Sequence, residues 1–178
     1  GFAYDSVAYN PKDIIKYLIM KLEKQDTANF VFNPYYEGFQ GTIVQTEPNK
    51  FMFKGAWKKI SYDTIQITEL PIGVWSENYK EFLESLMVDD KTKKKKPIIK
   101  NYKDSCTDTL VDFTVKFQPN ILPKLLCDKT SENLLMLEKV MKLYTIKTNN
   151  LQLFNKDQKL NKYMKVEDII EDYLPVRY

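Results

Sequence analysis

The stretch Ile65-Gln66-Ile67-Thr68-Glu69-Leu70-Pro71-Ile72-Gly73-Val74-Trp75 decides the reading of this chain. Ile65 and Ile67 alternate with Thr64, Gln66 and Thr68, the period of a half-buried strand. Pro71 has no N–H for a sheet ladder, so the strand is expected to stop there. Gly73 permits a turn, and Trp75 reads as the large apolar anchor after it. Ser76 reads as the N-cap of a helix over 77–87 with Tyr79, Phe82, Leu83, Leu86 and Met87 at helical spacing. The order is strand, sharp exit, amphipathic helix.

The same alternation spreads outward. Strands are expected over Thr42–Thr46, Lys50–Lys54 and Trp57–Ser61, with turns at Pro48-Asn49 and Tyr62-Asp63. With Thr64–Leu70 these predict an antiparallel meander, in which Gly55 marks a bulge or bend. Asn10-Pro11-Lys12-Asp13 predicts a helix start, with Ile14, Tyr17, Leu18 and Leu22 as its apolar stripe to about Lys24. Downstream, Val111, Phe113, Val115 and Phe117 alternate with Asp112, Thr114 and Lys116 until Pro119. Ser131 is expected to cap a helix carrying Leu134, Leu137, Val140 and Met141. Short strands are expected near Tyr144–Lys147, Leu151–Phe154 and Leu160–Tyr163. A last helix over Glu167–Leu174 turns Ile169, Ile170, Tyr173 and Leu174 inward. The fold class is α+β: a mostly antiparallel mixed sheet with flanking helices.

Composition limits the function. The chain has 178 residues, 43% hydrophobic and 13% aromatic, enough for one domain with a real core. No run approaches about 18 apolar residues, so no membrane span is read. The N-terminus has no basic-then-apolar signal pattern, and its abrupt start suggests a piece of a longer chain. Cys106 and Cys127 make no disulfide framework, which favours a reduced, intracellular setting. Histidine is absent, so Ser-His-Asp, Cys-His and His-based zinc sites are excluded within the sequence. None of the glycines forms a phosphate-cradling loop. The net charge of +3 leans weakly toward an anionic partner, and Arg177 is the single arginine. Lysine meets phosphate as a flexible point charge, so base-edge reading by arginine forks is not available.

Several motifs, in order along nearly the whole chain, resemble the tower region of type IIA DNA topoisomerases, the eukaryotic and large-virus enzymes above all. They are Gly1-Phe2 through Tyr9-Asn10-Pro11, Pro34-Tyr35-Tyr36-Glu37-Gly38-Phe39-Gln40-Gly41-Thr42-Ile43, and Thr68-Glu69-Leu70-Pro71 with Trp75. Thr107-Asp108-Thr109 with Val111–Phe117, and Leu151–Phe154 through Val176-Arg177, continue the series. The resemblance implies a tower-like DNA-supporting domain over 1–165 and an exit helix over 166–178 toward a coiled-coil arm. It implies a homodimeric parent enzyme that cuts one duplex with paired tyrosines and passes another through, using ATP and Mg2+. The cleaving tyrosine, the magnesium-binding acids and the ATPase lie upstream in that family. No cofactor is therefore expected on these residues, and Tyr9, Tyr35 and Tyr36 are not read as the nucleophile. Location would be the nucleus for a cellular enzyme, or host cytoplasm or nucleus for a viral one. Glu37 stands in a slot that is often basic in the family, and Phe2 where tryptophan is common. Pro175 stands where the family helix continues, which predicts a bend or restart.

The candidate partner is double-stranded DNA, and the candidate contacts are Lys54, Lys58, Lys59, Lys93 and Lys94. Lys54, Lys58 and Lys59 lie in expected strands, where they can be held against a duplex. Lys93 and Lys94 belong to the Lys91–Lys96 run before Pro97, which reads more readily as a solvated loop. Trp75 and Trp57 read as core or sheet-face packing rather than stacking platforms. Glu69 has no histidine or acid beside it and reads as a structural polar contact. The alternative function is a free-standing basic nucleic-acid-binding module without catalytic activity; a protein–protein adaptor fits the charge but not the ordered motifs.

Overall fold

A computed structural model describes residues 3–88, 96–131 and 133–178. Helix α1 spans Pro11–Leu22, and the Asn10 side chain accepts from the Lys12 N–H, as a proline-started helix requires. Strands β1 (Thr42–Glu47), β2 (Lys50–Lys54), β3 (Ala56–Lys59) and β4 (Thr64–Glu69) follow, then helix α2 (Ser76–Met87). Strands β5 (Ile99–Asp104) and β6 (Phe113–Phe117) precede helix α3 (Ile121–Cys127), strands β7 (Lys129–Ser131) and β8 (Leu134–Leu135), and helix α4 (Met136–Val140). Strands β9 (Tyr144–Thr148), β10 (Gln152–Phe154) and β11 (Leu160–Lys162) lead to helix α5 (Val166–Arg177). The fold is α+β.

The expected meander divides at Gly55. Strands β1 and β2 join β9 in the order β1-β2-β9, whereas β3 and β4 join a separate sheet in the order β3-β4-β6-β5. At the division the Gly55 N–H donates to Leu143 O at 3.0 Å, and a Cβ there would strike the Glu69 carbonyl oxygen. Only glycine lets the backbones come that close.

By compactness the chain forms two units: Gly1–Gly38 with Gln45–Phe51 and Ile146–Tyr178, and Phe39–Val44 with Met52–Thr145. The first buries Val7, Tyr17, Phe32, Phe51, Leu151 and Tyr163. Its helices α1 and α5 meet at Glu171, which takes the Tyr17 hydroxyl at 2.9 Å and the Lys21 ammonium at 2.6 Å. The Lys21 bond, then the Tyr17 bond, hold the Glu171 carboxyl below its usual range. On α1 only Tyr17 is buried; Ile15, Ile19 and Leu22 are exposed. Helix α5 runs through Pro175 to Arg177 without the expected restart. The proline falls in the last, exposed turn, where a single ladder bond is lost. Tyr173, expected to face inward, is exposed, while Ile169, Ile170 and Leu174 are half-buried.

The second unit holds the larger core. Ile65, Ile67, Phe113, Val115 and Phe117 from one face of the β3-β4-β6-β5 sheet pack with Tyr79 and Leu83 of α2, Leu122 of α3, and Leu137, Met141 and Leu143. Tyr79 is buried and spends its hydroxyl on Met141 O at 2.8 Å. Desolvation raises its pKa. Two expectations fail here. Trp75 is no anchor: it is 74% exposed and occupies the N-cap position of α2, with Ser76 as the first helical residue rather than the cap. The helix expected from Ser131 is the short hairpin β7-β8 followed by α4, because Met136 N–H pairs with Asp128 O at 2.9 Å. Glu138 closes the start of α4 by accepting the Leu135 N–H at 2.9 Å.

Candidate nucleic-acid interface

The motif residues converge within the second unit. A Cβ at Gly41 would strike the Lys54 carbonyl oxygen and the Phe39 ring. The Glu69 carboxylate accepts the Gln40 N–H at 3.2 Å and its neighbour's Leu70 N–H at 3.1 Å. Glu69 therefore ties the Gly-Phe-x-Gly segment to the end of β4, the structural polar contact expected of it. Gly73 has φ +88° in the exit turn, a conformation that favours glycine. Thr145 Oγ1 fixes that turn by donating to Ile72 O at 2.9 Å. These residues build the corner between β1, β2 and β4.

Lys54 lies at the end of β2 with its ammonium 2.8 Å from Glu138 Oε1 and 3.0 Å from Asn133 O. Its side chain is 19% exposed and that of Glu138 only 6%, so the pair is largely removed from water. Trp57 adds its indole N–H to the same carboxylate at 3.5 Å and packs against the core, as expected of it. Lys54 is thereby committed to the protein interior. Lys58 and Lys59 are exposed on β3. Register separates them: Lys58 pairs with Gln66, and Lys59 pairs with the buried Ile65. Successive residues of a strand face opposite sides, so Lys58 projects from the polar face and Lys59 from the rim of the core face. Lys93 and Lys94 lie outside the described residues.

The polar face reads across four strands. One row is Lys58, Gln66, Thr114 and Lys103; the next holds Thr64, Lys116 and Asn101. None of these residues is buried. Lys103 and Lys116 are not among the candidate contacts that the sequence singles out. The alternation of Thr114 and Lys116 with buried neighbours marks them as outward, but Lys103 sits on β5, a strand that no period-2 pattern announces.

Helix α2 covers the opposite face, partly through the Tyr102 hydroxyl, which donates to Glu84 at 3.2 Å, and the Lys80–Asp104 ion pair at 2.6 Å. The Lys80 bond, then the Cys106 N–H, hold the Asp104 carboxyl down to about 2. Among the described residues no group of three or more His, Cys, Asp or Glu could hold a metal ion. No helix of the described residues is long and apolar enough to cross a membrane.

The model of one protein family, DNA gyrase/topoisomerase IV, matches residues 1–178. The chain is 36% identical over 176 residues to DNA topoisomerase 2 of Plasmodium falciparum, covering 97% of this chain and 12% of that protein. It is 32% identical over 178 residues to the DNA topoisomerase-like protein cin-4 of Caenorhabditis elegans, covering 99% of this chain and 20% of the relative. The crystal structure of the Plasmodium falciparum topoisomerase II DNA-binding, cleavage and re-ligation domain superposes with a TM-score of 0.83 at 34% identity, covering 99% of this chain and 23% of that one. The chain thus spans only a minor part of the relatives it matches. By a family match over its whole length and a fold shared with a topoisomerase II domain, this chain belongs to the DNA gyrase/topoisomerase IV family of type II topoisomerases.

Proposed function

We propose that these residues are the DNA-supporting tower part of an ATP-dependent type II topoisomerase, and that they brace a bent duplex while another part of the enzyme cuts it. What carries the reading is the likeness, over 99% of this chain, to a domain described as DNA-binding, cleaving and re-ligating. Residues 1–165 would be the bracing body and 166–178 the exit helix. The parent works as a homodimer in the nucleus, with ATP and Mg2+. The described residues offer no donor set for a metal, so no step on this chain runs through a metal or nucleotide.

The chemistry available is electrostatic. Lysines on a sheet reach phosphate oxygens and add affinity without sequence choice. Lys58 and Lys59 are exposed for this; Lys54 contributes through the loop it fixes rather than as a free cation. The test is fluorescence anisotropy of the purified 178-residue chain on unrelated duplexes of equal length. Weak, salt-sensitive binding of equal strength to all of them is expected. No binding at low salt, or a strong sequence preference, would refute the reading. A natural reading frame without an upstream Arg-Tyr motif would favour a free-standing binding module instead.

A further inference from the structure

We propose that the uncovered polar face of the β3-β4-β6-β5 sheet is a docking surface for the phosphate backbone of duplex DNA, carried by Lys58, Lys103 and Lys116. The proposal rests on the reading of this chain as a duplex-binding part and names the face and the residues.

Register places the three lysines on one side. Lys58 and Lys103 end the same cross-strand row through Gln66 and Thr114, and Lys116 belongs to the adjacent row between Thr64 and Asn101. Strands are spaced about 4.8 Å apart, so Lys58 and Lys103 emerge about 14 Å apart, with Lys116 roughly 7 Å off that row. The longer separation is close to the major-groove width of about 12 Å, so lysines at the two edges can reach phosphates on both sides of one groove. Lys58 and Lys103 are exposed, and Lys116 keeps 45% of its side chain in water.

The acids on this face are already engaged. Asp63 takes the Ser61 and Thr64 hydroxyls at 2.9 Å each and stands 3.5 Å from the Lys116 ammonium. Asp112 accepts the Gln66 side-chain amide at 2.7 Å. Lys116 is thus partly screened by Asp63, and Lys58 and Lys103 carry most of the field. The remaining side chains are threonines and amides, which donate to phosphate at short range. No residue of the two rows is aromatic, whereas sheets that hold single strands stack bases on aromatic side chains. The face therefore fits a duplex backbone.

The experiment uses the whole 178-residue chain and one 20-base-pair duplex in a salt titration followed by anisotropy. The combined Lys58→Ala, Lys103→Ala and Lys116→Ala variant is compared with Lys12→Ala, Lys16→Ala and Lys159→Ala, which removes equal charge elsewhere. A set with threonine in place of alanine runs beside it, because threonine keeps strand propensity. The sheet-face variants should flatten the slope of log K against log salt by about 2–3 units, and the control set by much less. Equal flattening by both sets, or none by the first while the parent chain still binds, overturns this face and leaves the duplex-binding reading standing. Failure of the parent chain to bind at low salt overturns both. Tighter binding of a single strand than of the duplex overturns the choice of partner.

Discussion

A methyl group added at Gly41 would run into the Lys54 carbonyl oxygen and the Phe39 ring. Backbone on one side leaves little room to yield, so Gly41→Ala should destabilise by about 1–3 kcal/mol, as overpacking does. Urea unfolding followed by circular dichroism reads this directly, and an unchanged midpoint would remove the close approach. Trp75 gives the opposite expectation. The sequence alone predicts a buried tryptophan whose truncation costs about 3–5 kcal/mol. The side chain is 74% exposed, so Trp75→Ala should alter stability by no more than about 0.5 kcal/mol. Both residues stand out equally in the sequence. A glycine's need for space and a tryptophan's burial depend on what the chain brings back against them, and local pattern does not hold that information. The same limit applies to Lys54, which reads as a DNA contact until Glu138, far along the chain, is found beside it. Removing one partner of a buried pair strands the other charge, so Lys54→Ala should cost roughly 3–5 kcal/mol. Its melting temperature must therefore be measured before any loss of DNA affinity is assigned to a missing phosphate contact.

Elements with a clean period are legible in the sequence, and elements whose period is broken are not. Strand β6 shows Phe113, Val115 and Phe117 buried in strict alternation, and β4 ends before Pro71 as the missing N–H requires. Strand β5 escapes because the register slips between Ile99 and Asn101. That bulge puts Ile99 and Tyr102, three residues apart, on one face, which erases the alternation. Helix α3 is short, follows Asn120 at φ 64°, and carries Pro123 in its first turn, so neither length nor a cap announces it. Strand β5 also supplies a test. Its Asp104 is held by Lys80 of α2, with the carboxyl lowered to about 2. A depressed folded pKa gives stabilisation that is present above the unfolded value of about 4 and lost as pH falls toward 2. Asp104→Asn should therefore lower the melting temperature at pH 6 and converge on the parent chain near pH 2. Parallel melting curves across that range would show that the pair adds nothing to the joint between α2 and β5.

At the scale of the whole molecule, the match to the family spans residues 1–178, while this chain covers 20% of one relative and 12% of another. The ordered motifs are enough to reach the family from sequence. The face proposed to meet DNA is not legible there, because Lys58, Lys103 and Lys116 come from three strands and only register unites them. Strand passage needs a nucleophile that breaks the phosphodiester, charge stabilisation at the reacting phosphate, and a source of work. The sequence has no histidine to serve as base, and the described residues contain no acid cluster able to hold a divalent ion. Tyr17 and Tyr79 are tied to Glu171 and Met141, and burial is the main cause that pushes both phenols up rather than toward the phenolate. The purified chain should therefore bind plasmid without relaxing or cutting it. Supercoiled plasmid incubated with the chain, Mg2+ and ATP should run unchanged on a gel after protease treatment. Relaxed or linear product that persists after removal of trace nuclease, and that is lost on Tyr9→Phe, Tyr35→Phe or Tyr36→Phe, would place a nucleophile on this chain and overturn its assignment as a bracing part.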